Sequence, residues 1–318
     1  MIDTMFNWIT ESPLFHLARR GTRLTHWLAV LPLGLAFIFV SSFGAIPVVL
    51  AMLVVYGVEN GMPSMQGEPA LVSGFWMALQ LISSFAGIFL FLWLWLKFYE
   101  KRPFHTLGFE KNGALLQYGR GLLLGALLFG GAVGLMALFG FVELAQGDPA
   151  QTGLAALGGV LLVALGWVVQ GAGEEVVTRG WMLPVLGART RPWIGIVVVS
   201  LFFSLLHGLN PNLSALAMVN LALFGLFAAF YALREGSLWG ICALHSVWNW
   251  IQGNVFGFEV SGTNAGGGTL FKFVETGPDW FTGGAFGPEG GLAVSLMLLL
   301  GILVLFAWPR PESQAPVS

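Results

Sequence analysis

Charge is scarce in this sequence. Only 9% of its residues are Asp, Glu, Lys or Arg, against 56% that are hydrophobic, and the mean hydropathy is +0.80. A soluble domain needs far more charge to cover its surface, so the solvent of this chain is largely lipid. Cysteine is nearly absent. Cys242 stands alone, which excludes an intramolecular disulfide framework and a cysteine-rich metal cluster. Neither sign of charge is in excess: the net charge is -2, and no basic block or acidic tail offers a surface to nucleic acid.

What is present is apolar sequence in long runs. Runs able to cross roughly 30 Å of hydrocarbon lie near 28-56, 75-96, 121-142, 154-183, 192-209, 213-233, 238-253 and 291-308. They predict an all-α integral membrane protein, a bundle of about eight transmembrane helices. The first run contains Pro32, Gly34, Gly44 and Pro47, so a tilt or kink is expected there. Gly130 and Gly134 form a small-xxx-small pair that predicts close helix packing. Basic residues give the orientation. Arg19, Arg20, Arg23, Lys97, Lys101, Arg102, Lys111, Arg120, Arg179, Arg189, Arg191, Arg234 and Arg310 fall in loops or run ends of one set, and only Lys272 falls in the other. Both termini are therefore expected in the cytoplasm. Residues 1-150 read as an interfacial segment with the first three spans, 151-255 as a core of four spans, and 256-318 as a glycine-rich outer loop with the last span. The loop 254-290 reads as a flexible connector in preference to a lid.

Ionisable groups at membrane depth are costly and need a reason. They are confined to three runs: Glu174, Glu175 and Arg179 in the fourth, His207 in the fifth, His245 with Asn249 in the seventh. Neighbours on a helix point about 100° apart, so Glu174 and Glu175 cannot both face one cavity. Glu175 and Arg179 are four apart with the acid first, the favourable order for a structural pair. That leaves Glu174 as the free carboxylate. Phe203 and His207 share a face, as do His245 and Asn249. Three helices can thus direct a carboxylate, two imidazoles and an amide at one point.

Such a set suits hydrolysis of a peptide bond. A poorly solvated carboxylate is a better base toward water, a histidine can share in orienting that water, and a second histidine with an amide can donate to a tetrahedral oxyanion. No serine or cysteine nucleophile is required, and Cys242 reads as a small apolar residue. Taken singly, an intramembrane His or Asn is more often an interhelical hydrogen-bond partner, and Ser83, Ser84, Asn220 and Ser246 are read as packing or local hydrogen-bonding residues. Four complementary groups on three spans fit that explanation poorly. Counting along the spans puts His207 deeper than the others, so the fifth span must start below the surface or tilt.

Glu174-Glu175-Val-Val-Thr-Arg179 fits EExxxR, Phe203-Ser-Leu-Leu-His207 fits FxxxH, and His245-Ser-Val-Trp-Asn249 fits HxxxN. Together, in this order, they resemble the signature of the CAAX-protease and bacteriocin-processing family, relatives of the type II CAAX prenyl endopeptidase. The resemblance covers about residues 150-255. It implies an intramembrane endopeptidase in which Glu174, partnered by His207, activates water and His245 with Asn249 stabilises the oxyanion, supported by Glu175, Arg179 and Phe203. Its implied partners are membrane lipid and a peptide or lipidated-protein substrate, of CAAX type or a bacteriocin or other peptide precursor. The implied home is a cell membrane, and the glycine- and alanine-rich style points to the bacterial inner membrane. No cofactor is favoured. The alternative is zinc on Glu174, His207 and His245, although no HExxH pair is present. Two other classes compete: a non-catalytic immunity protein or peptide-binding scaffold using the same cavity, and, more weakly, a transporter, for which no inverted repeat is visible.

Overall fold

A computed structural model describes residues 7-59, 62-63 and 67-308. Arg310 and the outermost ends of the expected first and last regions lie outside the described residues. The protein is mostly helical and multi-pass. Helix α1 (Pro13–Ala18) precedes α2 (Trp27–Ser42) and α3 (Ile46–Tyr56), which are joined by a 3-10 turn at Phe43–Ala45. The expected kink is this turn: Pro47 sits in the first turn of α3, and Gly44 lies so close to the Ser83 carbonyl that no side chain would fit. There follow α4 (Ala70–Trp95), α5 (Ala114–Leu138), α6 (Leu157–Glu175), α7 (Leu183–Arg189), α8 (Pro192–Leu206), α9 (Ala215–Glu235), α10 (Trp239–Trp250), α11 (Asp279–Thr282) and α12 (Leu292–Ala307). Single π-turns extend α4 over Leu96–Glu100, join α6 to α7 over Val176–Met182, and extend α10 over Ile251–Val255.

Among the described residues, five helices are long and apolar enough to cross a membrane: 27-56, 70-100, 114-138, 153-189 and 215-235. Helices α8 and α12 are shorter apolar helices, and α10 is shorter still. The all-α expectation needs one amendment. Two small antiparallel pairs are present, β1 (Val58–Glu59) with β2 (Met62–Pro63) and β3 (Val142–Leu144) with β4 (Phe273–Glu275), all in loops that need backbone partners once outside a helix.

Burial orders the bundle. Of the apolar window of α9, 67% is buried, against 17% for the first two spans, so α9 is central and α2 to α4 lie toward lipid. Helix α9 begins where Ser214 Oγ accepts the Ala217 N–H, and ends where Gly236 takes a left-handed conformation. Helix α4 packs on α6, α5 on α10, α6 on α10, and α8 on α9. Gly130 and Gly134 have open space where a side chain would project, so the small-xxx-small pair is not a packing seam. The close approaches use other glycines, such as Gly74 against Gly159 and Gly225 against Ser200.

The basic segments gather at one end. Arg20 pairs with Glu110, Arg19 donates to the Ala188 carbonyl, Arg189 to the Thr25 carbonyl, and Trp239 to the Glu110 carbonyl. At their centre is a buried ion pair, Glu100 Oε2 to Arg102 Nε at 2.6 Å, with Glu100 Oε1 also accepting from Thr25 and Trp181. This carboxylate ties the entry to α2, the end of α4 and the π-turn after α6 together. Arg179 does not belong to the basic end. Its side chain is fully buried, so it is no guide to orientation.

The opposite end is closed by residues 254-290, and the connector expectation gives way here. Asn254 Nδ2 donates to the Gly266 and Gly268 carbonyls, Trp167 Nε1 donates to Asn254 Oδ1, and Phe258, Val260, Thr282 and Phe286 are buried. Gly266, Gly267 and Gly268 all have positive φ, a path that side chains would obstruct. Packing and backbone bonding hold this loop in one shape.

Two predictions follow from these ends. Removing Arg102 strands a buried carboxylate, so Arg102→Ala should cost about 3–5 kcal/mol and lower the unfolding temperature in detergent far more than Arg20→Ala does. In the outer loop, burial pushes the Glu275 carboxyl up to about 7, with Asp279 adding to the effect against hydrogen bonds from Thr282 and the Gly284 amide. The folded loop thus binds a proton more readily than the unfolded one. Its stabilising contribution is complete below the ordinary carboxyl value and is lost as pH rises through 7. Hydrogen exchange over 273-286, corrected for intrinsic rate, should show more protection at pH 5 than at pH 8, and Glu275→Gln should abolish the difference.

Candidate active site

Helix α6 carries the acids to the middle of the protein. Gly171 lets α6 approach α10 so closely that a side chain there would meet Ser246 Oγ at 2.8 Å and its backbone nitrogen at 2.9 Å. That contact brings the last turn of α6 beside His245. The π-turn begins at Val176, immediately after the two glutamates, a common device where a helix must re-aim its side chains at a functional position.

His245 lies between the two carboxylates. Its Nδ1 is 2.9 Å from Glu175 Oε1 and its Nε2 is 3.8 Å from Glu174 Oε2. Glu175 also accepts from Arg179 Nη1 at 3.0 Å, and both of these side chains are fully buried. Arg179 in turn donates to the Gly225 carbonyl of α9 and lies 4.7 Å over the Phe203 ring. Glu175 is thus more than the counter-ion of Arg179. The two acids do point apart, as helical phase requires, but an imidazole placed between them reaches both. With Nδ1–H donating to Glu175, Nε2 is the nitrogen left for chemistry.

Glu174 is 12% exposed, and its two oxygens differ. Oε1 accepts from Gln170 Nε2 at 2.8 Å, whereas Oε2 is buried with no hydrogen-bond partner. Gln170 Oε1 accepts from Asn249 Nδ2 at 2.9 Å, so one amide links the acid to the asparagine. Gln170 was missed in the sequence, although it sits four residues before Glu174 on the same face, a signal as good as those that were used. His207 lies just past the end of α8, with its Nδ1 on the Phe203 carbonyl at 2.9 Å. The 15 residues of α8 span about 22 Å, close to the distance that counting along the span gives for His207, so helix length alone does not supply the expected offset.

Glu174, His207, His245 and Asn249 all line one cavity of about 320 Å³. Phe203 and Phe224 pack against His245, with ring centroids 6.0 and 5.0 Å away. Apolar walls come from α2, α4, α9 and α12 through Ile38, Leu81, Phe85, Leu221 and Leu298, and the outer loop adds Ser261 and Glu289. Among the described residues no group of three or more His, Cys, Asp or Glu side chains is arranged to hold a metal ion. Of the three zinc candidates, His207 has its Nδ1 on the Phe203 carbonyl. Cys242 is buried, and Ser83, Ser84 and Ser246 bond locally to carbonyls of their own helices.

Residues 156–251 match the family model described as Type II CAAX prenyl endopeptidase Rce1-like. The matched stretch runs from the start of α6 to the end of α10 and contains every motif residue. It bears out, over this part of the chain, the resemblance carried by the three motifs. No curated protein and no solved structure matches this chain.

The packing that forms the site is testable without substrate. Gly171→Val forces a side chain against the Ser246 backbone and should cost about 1–3 kcal/mol, read as a lower unfolding temperature. Gly130→Val, where the space is open, should leave that temperature unchanged.

Proposed function

We propose that the protein is an intramembrane endopeptidase of the glutamate type, with residues 151-255 as its catalytic core and 1-150 and 256-318 as flanking support. The proposal includes eight membrane crossings with both termini and the basic end in the cytoplasm. Helices α8, α10 and α12, with the five longer spans, make up the eight; the three short ones count as crossings because they complete the path across with the loops and turns at their ends. The observation that carries the enzymatic reading is Glu174 Oε2: a buried carboxylate oxygen without a partner, 3.8 Å from an imidazole nitrogen, on a cavity of peptide size.

In this mechanism a water sits between Glu174 and the scissile carbonyl. Glu174 takes a proton from it as oxygen attacks the carbonyl carbon, and His207, whose Nδ1 is occupied by Phe203, holds the water through Nε2. His245, with Nδ1 held by Glu175 and carboxylates on both sides, carries a proton on Nε2 and donates to the developing oxyanion alongside Asn249. Glu174 then delivers its proton to the leaving nitrogen, the C–N bond breaks, and an acid and an amine are released. Gln170 keeps Glu174 and Asn249 in register throughout. No step of this mechanism is routed through a metal. The substrate class is a membrane-associated peptide. A non-catalytic peptide-binding scaffold does not account for a costly unpartnered carboxylate oxygen beside His245.

Glu174→Gln keeps the bond to Gln170 and removes the base. It should abolish peptide cleavage by a factor of about 10³ or more while leaving the unfolding temperature unchanged, and chelation of wild-type protein should leave the rate unaltered. Full activity in Glu174→Gln, or loss on chelation with recovery on adding zinc, contradicts the proposal.

A further inference from the structure

The charge of the cavity restricts its substrate. Two carboxylates line it, Glu174 and Glu289, and no Lys or Arg does. Arg179 is near but committed, donating to Glu175, Thr178 and the Gly225 carbonyl. Lys272, the basic residue of the outer loop, donates to the Gly257 carbonyl and does not reach the cavity. Glu289 lies in the outer loop beyond the matched family segment. Its Oε2 accepts from both the N–H and the Oγ of Ser261 at 2.7 Å, while its backbone carbonyl accepts from Asn220 of α9. Its Oε1 has no hydrogen-bond partner among the described residues. The carboxylate is therefore held in place by one oxygen, and the residue lines the cavity.

One explanation for Glu289 is purely structural. Ser261 has φ of 48°, an unfavourable conformation for a residue with a side chain, and two bonds to Glu289 would hold that turn. Such a clamp needs an acceptor, which a glutamine oxygen supplies as well. It does not need a charge, and a carboxylate without a counter-ion beside apolar walls is costly. A cationic ligand group removes that cost, and an anionic one raises it by like-charge repulsion at low dielectric.

We propose that the cavity takes a peptide segment bearing a Lys or Arg side chain close to the bond that is cut, with Glu289 as the specificity-determining residue. The cut bond then lies within a chain, not beside a free C-terminal carboxylate, for which the cavity lining offers no Lys or Arg. This rests on the peptidase reading above and narrows its substrate. Specificity comes from both sides of the charge balance: Glu289 attracts the cationic side chain, and the same carboxylate, with Glu174, rejects a terminal anion.

The test uses the full-length protein in lipid nanodiscs with a proteome-derived peptide library, half of it amidated at the C-terminus, and mass spectrometry of the cleaved bonds. Wild type should enrich Lys or Arg at one fixed position from the cut by about tenfold or more, and should cut amidated and free-acid peptides alike. Glu289→Gln, which retains the acceptor for Ser261, should bring that enrichment close to one. Ser261→Ala, which loosens the clamp but keeps the charge, should retain it. Cuts confined to the third bond from a free carboxyl terminus, enrichment absent in wild type, or enrichment surviving Glu289→Gln each overturn the inference and leave the peptidase standing. Cleavage that persists in Glu174→Gln overturns the peptidase reading instead.

Discussion

The structure depends on how one buried guanidinium is satisfied. Arg179 sits fully enclosed at membrane depth, where an uncompensated charge costs several kcal/mol. Its compensation comes from three directions: Glu175 on its own helix, the Gly225 carbonyl of α9, and the face of Phe203 on α8. Glu175 then has one negative charge to share between Arg179 and His245 of α10. Four helices converge because of this chain of partners. The EExxxR, FxxxH and HxxxN motifs are the places where each helix contributes to it.

The chain of charges also separates the roles of two adjacent glutamates. Glu175 is spent on Arg179 and on the orientation of His245. Glu174, one residue earlier, projects toward the cavity, where Gln170 engages one oxygen and the other is left free. Close contact between α6 and α10 at Gly171 sets the spacing, and His207, just past the end of α8, lines the same cavity. The outer loop completes the enclosure. Its glycines allow a tight path over the bundle, and its Ser261 and Glu289 give the cavity a polar outer wall facing apolar side chains from α2 and α4.

Most of the helices, the pairing of Glu175 with Arg179 and the shared face of His245 and Asn249 were legible in sequence, because length, hydropathy and four-residue spacing are local properties. Relations across helices were not legible. Nothing local says that Glu175 also accepts from His245, seventy residues away, so it was assigned to Arg179 alone. Arg179 was counted with the cytoplasmic bases because a sequence position near a run end does not reveal whether a side chain points outward or into the bundle. Gly130 and Gly134 have the right spacing for a seam and the wrong side of the helix. The loop 254-290 looked like a connector since its glycines signal conformational freedom equally well when that freedom is used to make a fixed tight path. Gln170 could have been found: it repeats the four-residue spacing from Glu174 toward the other end of the helix.

The account stands on His245 being held through Nδ1 by Glu175, with Nε2 turned to Glu174. Nitrogen NMR of ring-labelled histidine in the full-length protein in nanodiscs reads this directly. The account predicts a protonated, strongly hydrogen-bonded Nδ1 on His245 that persists in Glu174→Gln and is lost in Glu175→Gln. A His245 Nδ1 signal indifferent to Glu175→Gln, or one that shows Nδ1 unprotonated in wild type, would contradict it.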